Sequence, residues 1–349
     1  LAGAGQAVLL DGRETIAKLL VQAARQSGIS VAVQELLDFD GHEIYIDDAS
    51  RFEGIDFGTL LGRLERCSVI GLLDVDDMVL LNPPGSKVIS SGDRLIAVAE
   101  DDTVLELFEE SVSGPDFEQI LAADEWSPSP ERVVILGWNK GAQSVITHFD
   151  AFLAPGSRIE VVVDPGLGRA PEVDSHQRLA NTDVNFRHGS TTDRSTLEEL
   201  ELGQADHVMV LACSDDFDAQ RADARTLVTL LHLREINDGL EPGFSIVSEM
   251  VDERSRRLAE VAEVDDVIVS ENVISLLFAQ ISQNHHLADV FTQLFSPEGS
   301  EIYLRPAGTY VALNEEVSFA TMVEAARRRG ECAIGYRSAS QSDDPDSGF

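Results

Sequence analysis

Two short strings concentrate carboxylates just after apolar runs. Ser214-Asp215-Asp216-Phe217-Asp218 follows the run at 208–211, and Glu249 and Asp252 follow the run at 244–247. Carboxylates that converge repel one another unless a cation or basic side chain intervenes, and hard oxygen donors suit Ca2+. Asp215, Asp216, Asp218, Glu249 and Asp252 are therefore the candidate metal ligands. The same residues also suit helix N-caps, with ion pairs to Arg221, Arg225 and Arg254. A second candidate lies at Gly137-Trp138-Asn139-Lys140-Gly141-Ala142. Gly137, Asn139 and Gly141 would let backbone approach a phosphate at a helix N-terminus, and Asp164, ending the next apolar run, would accept from a ribose hydroxyl. Against this, Trp138 stands in the loop and the G-x-G-x-x-G spacing is not met, so NAD or another nucleotide is not the expected cofactor.

Other reactive side chains have simpler roles. His285 and His286 are adjacent, and neighbours on a helix point about 100° apart, which disfavours a shared ion. The turn His188-Gly189-Ser190-Thr191-Thr192-Asp193 offers a ligand contact or, through Thr192 or Asp193, a helix cap. No nucleophile elbow, P-loop or HExxH string occurs, so no catalytic residues are expected and the chain is not read as an enzyme.

The elements that must hold these groups alternate from Arg132 onward. Strands are expected at 133–136, 159–163, 184–186, 208–211, 244–247 and 267–269, and helices at 142–152, 194–200, 219–237, 253–261 and 272–283. Continuous Val/Ile runs between amphipathic helices predict an α/β fold, a Rossmann-like doubly wound parallel sheet. The carboxylate strings then fall at the carboxyl edge of that sheet. Outside it, a repeat is visible. The string at 33–46 returns at 291–304, matching at Leu36/Leu294, Gly41/Gly299, Glu43/Glu301, Ile44/Ile302 and Tyr45/Tyr303. In the same register Ile16, Leu19 and Gln22 meet Ile274, Leu277 and Gln280, while Phe57-Gly58-Thr59 faces Phe319-Ala320-Thr321. Each copy predicts a helix, a turn, a second helix and a small α+β lobe, with strands in the first at 44–46 and 95–98 around a turn at Ser91-Gly92-Asp93. The apolar faces of the two first helices, at Ile16, Leu19, Leu20 and Ala23 and at Ile274, Leu277, Phe278 and Ile281, are expected to pack on one another or across subunits.

With 349 residues and 43% hydrophobic content, several packed domains are accessible. The apolar runs are strand-sized, short of the roughly 20 residues a spanning helix needs. A net charge of −36 opposes phosphate backbones, so no nucleic-acid partner is expected. Cys67, Cys213 and Cys332 are far apart and fit reduced thiols.

A Rossmann-like core flanked by repeated helix-and-lobe units resembles tandem regulator-of-conductance (RCK) modules. Further strings carry a closer resemblance, to the CASTOR/POLLUX ion channel family: 152–157, 223–231 with 234–236, 248–256, Leu294-Phe295 with 298–301, and Ile334-Gly335-Tyr336-Arg337. The resemblance implies a connector of a first module at 1–38, a first RCK-C lobe at 39–104, a linker at 105–131 and the Rossmann-like RCK-N domain at 132–270. A second connector at 271–295, a second lobe at 296–337 and a polar tail at 338–349 complete it. It also implies a Rossmann-like domain and transmembrane pore ahead of Leu1, a homotetramer whose modules form an eight-membered ring, and a place at the cytoplasmic face of the membrane. Ca2+ is the gating ligand it suggests. One departure bears on that: an archaeal calcium-gated potassium channel of the wider RCK group has a carboxylate ending its fourth strand and Glu-x-Glu after the next. Here Leu211 stands at the first place, and Val251 follows Glu249 at the second. Two other readings use the same features: a TrkA-like nucleotide-binding subunit of a potassium transporter, and an NAD-dependent oxidoreductase.

Overall fold

The computed structural model describes residues 10–39, 41–64, 67–101, 114–122, 129–167, 179–241, 243–262, 264–296, 299–313 and 315–337. Residues 105–113 and 123–128 of the expected linker, and the tail at 338–349, lie outside them. The chain divides into two compact units. One comprises Leu1–Ser30, Ser127–Ala279 and Phe295–Pro297, the other Val31–Trp126, Gln280–Leu294 and Glu298–Phe349.

The first helices are α1 (Gly12–Arg25) and α2 (Ile29–Leu37), and the helices around the second copy are α8 (Ser270–Gln283) and α9 (Leu287–Leu294). Shifted by the separation of Ile16 from Ile274, Gly12 falls on Ser270, Arg25 on Gln283 and Ile29 on Leu287, so the repeat seen in sequence is a repeat of helix boundaries.

In the first unit, six strands form one parallel sheet: β5 (Arg132–Leu136), β6 (Ser157–Val163), β7 (Thr182–His188), β8 (His207–Val210), β9 (Ser245–Met250) and β10 (Asp266–Val269). Their order is β10-β9-β8-β5-β6-β7, which reverses direction between β5 and β8. Val133, Val134, Ile135 and Leu136 are fully buried, as a strand covered on both faces requires. The intervening helices are α4 (Ala142–Phe152), α5 (Arg194–Glu198), α6 (Ala219–Asn237) and α7 (Glu253–Val261). Asp193 caps α5 and Asp218 caps α6, each accepting a backbone N–H from the first turn. Helix α1 corrects one expectation. Its face of Ile16, Leu19, Leu20 and Ala23 is buried, and the helix packs on α4 and on β8, β9 and β10. A parallel sheet needs cover on both faces, and α1 provides part of it.

In the second unit, β1 (Glu43–Asp48), β2 (Cys67–Leu73), β3 (Val79–Leu81) and β4 (Arg94–Ala99) form an antiparallel sheet ordered β1-β4-β2-β3. Ile44 pairs with Val98 and Ile46 with Ile96. The ladder between β2 and β4 shifts register between Val69 and Gly71, and a Cβ on Gly71 would stand 2.5 Å from the Leu80 carbonyl oxygen. Helix α3 (Phe57–Leu61) is capped by Asp56, which accepts from Thr59 N; helix α10 (Phe319–Arg327) is capped by Ser318, which accepts from Thr321 N. These caps occupy matching places in the repeat. The strands do not match: residues 301–306 carry none, and Val311 makes an isolated bridge to Ile120. β1 forms by pairing along β4, and the second copy has no such partner strand among the described residues.

Candidate functional site

Where the strand order reverses, the segments that leave the carboxyl ends of β5 and β8 border a cleft, the usual ligand position of open α/β sheets. A cavity of about 220 Å³ lies there, lined by the loop Asn139-Lys140-Gly141, by Ser214 and Asp215 after β8, by Glu249 of β9, and by Arg13 and Glu271 from α1 and α8. The topology thus assembles the glycine loop and part of the carboxylate strings, as their places in the sequence led one to expect.

Glu249 is the centre of this arrangement and is 8% exposed. Its Oε2 accepts from Asn139 Nδ2 at 2.8 Å and from the Ala212 backbone N–H at 3.1 Å, and its Oε1 accepts from Ser270 Oγ at 2.8 Å. Burial raises its pKa above the usual carboxylate value, and these three donors oppose the rise. Asn139 is similarly committed. Its amide also donates to the Ala212 carbonyl at 3.0 Å, and its Oδ1 accepts from Gly141 N at 2.9 Å.

The loop's phosphate-directed donors have protein partners. Asp215 accepts the Lys140 backbone N–H at 2.7 Å and pairs with Lys140 Nζ at 2.9 Å. Gly137 has φ of +99°, and a Cβ there would lie 2.7 Å from the Leu211 carbonyl oxygen, so glycine is required for the turn itself. Asp164, the ribose candidate, is paired with Arg225 Nη2 at 2.9 Å, and that guanidinium also lies 5.6 Å from the Phe217 ring centre. Trp138 packs edge-on against Phe186, ring centres 5.8 Å apart. With Asp215 on the loop and Glu249 and Glu271 in the lining, the residues present fit a diphosphate poorly.

The candidate metal ligands are not gathered into one set. Asp218 is the α6 cap and lies 3.6 Å from Arg221 Nε. Asp252 accepts from Arg254 N at 2.9 Å and from its Nε at 3.0 Å, and the arginine's hydrogen bonds hold the half-buried carboxyl down to about 2. Asp216 follows Asp215 in the exposed turn after β8, where its own N–H donates to the Cys213 carbonyl. Among the described residues no three of His, Cys, Asp and Glu are grouped so as to hold a metal ion. Calcium takes six to eight oxygen ligands, and these five carboxylates, spread over caps and ion pairs, do not supply them as one set. His286, in the second unit, lies 3.3 Å from Arg94 Nη2 and 3.7 Å from Asp77 Oδ1.

Sequence reasoning missed Ser270, Arg13 and Glu271 as parts of the cleft. Only Ser270 carried a signal, since it directly follows the last strand-like run, at 267–269. The participation of Arg13 depends on α1 lying on the sheet, which the order of elements did not reveal.

Residues 13–113 match a family described as Castor and Pollux, part of voltage-gated ion channel, and residues 133–270 match the TrkA-N domain. The probable ion channel CASTOR of Oryza sativa subsp. japonica is 28% identical over 379 residues, covering 97% of this chain and 42% of that protein. The ion channel CASTOR of Lotus japonicus is 28% identical over 384 residues, covering 97% of this chain and 44% of that one. The chain thus spans less than half the length of these relatives. In fold it resembles the human SLO3 gating ring, with a TM-score of 0.57 at 10% identity, covering 82% of this chain and 61% of that chain. No described helix is long and apolar enough to cross a membrane.

Proposed function

We propose, for a chain that carries a Castor and Pollux middle domain followed by a TrkA-N domain, that it is the regulatory, gating-ring part of a cation channel of that type. The order of these two domain matches along the chain carries the reading. Its pore lies elsewhere in the same polypeptide, its four copies assemble a ring, and it faces the cytoplasm. The cleft between β5 and β8 supports a sensing role without chemistry, because Asn139, Glu249 and Ser270 are hydrogen-bonded to one another and α1 and α8 form part of its wall. A ligand there biases gating only by binding one ring state more tightly than the other. A tenfold preference corresponds to about 1.4 kcal/mol per site, and four equivalent sites multiply the bias.

Planar-bilayer recording of the full-length protein tests this. Glu249→Gln and Asp215→Ala should change open probability and its ligand dependence while leaving single-channel conductance unchanged. Absence of any current, or a change in conductance alone, overturns the reading. Calcium, the ligand the sequence resemblance implies, is titrated too, although the carboxylates of this cleft do not form a set that would hold it.

The TrkA-N match also supports a second reading, a peripheral regulatory subunit bound to a separate transport protein. Purification from membranes separates the two, since the first requires the pore in the same polypeptide and the second a distinct membrane partner.

A further inference from the structure

The second unit holds a separate pocket of about 170 Å³. Its apolar wall is formed by Ala32 and Leu36 of α2, Val98 of β4, Phe319 at the start of α10 and Ile334 of the closing segment. An engineered apolar cavity of about 150 Å³ accepts a benzene ring, so this space suits one ring with a short arm. The polar groups sit together. Among the described residues Glu35 is the one acid in the lining, and no described lysine or arginine lines the pocket. Its Oε1 accepts the His42 backbone N–H at 3.4 Å and lies 3.9 Å from His42 Nδ1. Tyr336, 69% exposed, leans over Phe319 with ring centres 6.2 Å apart and planes at 44°. Cys67, also in the lining, is pushed up to about 11 by burial and adds no charge near neutrality.

We infer that this pocket binds a small arylalkylammonium, its ring against the apolar wall and its charged head between the Glu35 carboxylate and the Phe319–Tyr336 pair. A cation over an aromatic face gains from the ring quadrupole, and a carboxylate beside it supplies a charge-assisted partner. The chain's net charge of −36 raises the local concentration of cations and lowers that of anions. The site is independent of the cleft in the first unit and of the channel reading.

The test compares benzylammonium, benzyl alcohol and benzoate by calorimetry on the whole chain. Benzylammonium should saturate one site about tenfold more tightly than the alcohol, and benzoate should not bind. Glu35→Gln should reduce the ammonium to the alcohol's affinity and leave the alcohol unchanged. Ser68→Phe, placed in the lining, should weaken both, with circular dichroism verifying that each variant is folded. Benzoate binding as tightly as benzylammonium, an ammonium preference that survives Glu35→Gln, or no saturable binding to the folded chain would overturn the inference.

Discussion

Glu249 shows how one buried carboxylate organises its surroundings. Three donors from Asn139, Ala212 and Ser270 converge on it, and replacement by alanine leaves them without an acceptor. Glu249→Ala should lower the unfolding free energy by about 1–3 kcal/mol or more, and Glu249→Gln by less, as read from urea midpoints. Gly137→Ala should cost about 1–3 kcal/mol in the same measurement, through its positive φ and the contact with the Leu211 carbonyl. The sequence made Gly137, Asn139, Gly141, Asp215 and Glu249 conspicuous through their position after strand-like runs. It did not reveal their partners: Asn139 with Glu249 and Arg225 with Asp164 are contacts between distant segments, set by strand order and side-chain direction.

Helices and parallel strands were the most legible elements. The bounds expected for α4, α6 and α7 coincide with those observed, because caps such as Asp218 and apolar spacing agree with the fold. β2 and β3 escaped notice because the run at 69–73 lacks alternation and β3 is only three residues long. The second lobe's expected strand is missing for a related reason: a strand exists only with a neighbour to pair with. At the start of α2 a buried carboxylate acts as an anchor. Asp266 accepts the Gly28 N–H at 2.6 Å and the Ser30 N–H at 3.1 Å, and also bonds the Ser30 hydroxyl. Burial, opposed by these donors, raises it to about 6 from 3.8. Since the folded value is the higher one, its contribution to stability is fully present below 3.8 and lost as pH rises through about 6. Urea midpoints between about pH 4 and pH 7 should therefore fall in wild type relative to Asp266→Asn.

At the scale of the molecule, charge dominates. With 62 acidic and 26 basic residues, the chain repels itself, and salt should relieve that repulsion. Its melting temperature should rise between about 0.01 M and 1 M NaCl, where the Debye length shrinks from about 30 Å to 3 Å. A flat response would mean that local ion pairs already neutralise the surface. Composition made this charge visible from the start, whereas the placement of α1 on the sheet became visible only in three dimensions. The Asp215 side chain over the glycine loop has one more consequence. Anchored beside the Lys140 amide, it acts as a resident competitor whose effective concentration is on the order of millimolar or above. Any free anion must displace it before reaching the loop, so weak phosphate ligands are screened out by the protein's own occupancy. Asp215→Ala should unmask the loop, and titration with inorganic phosphate should then show binding that wild type lacks.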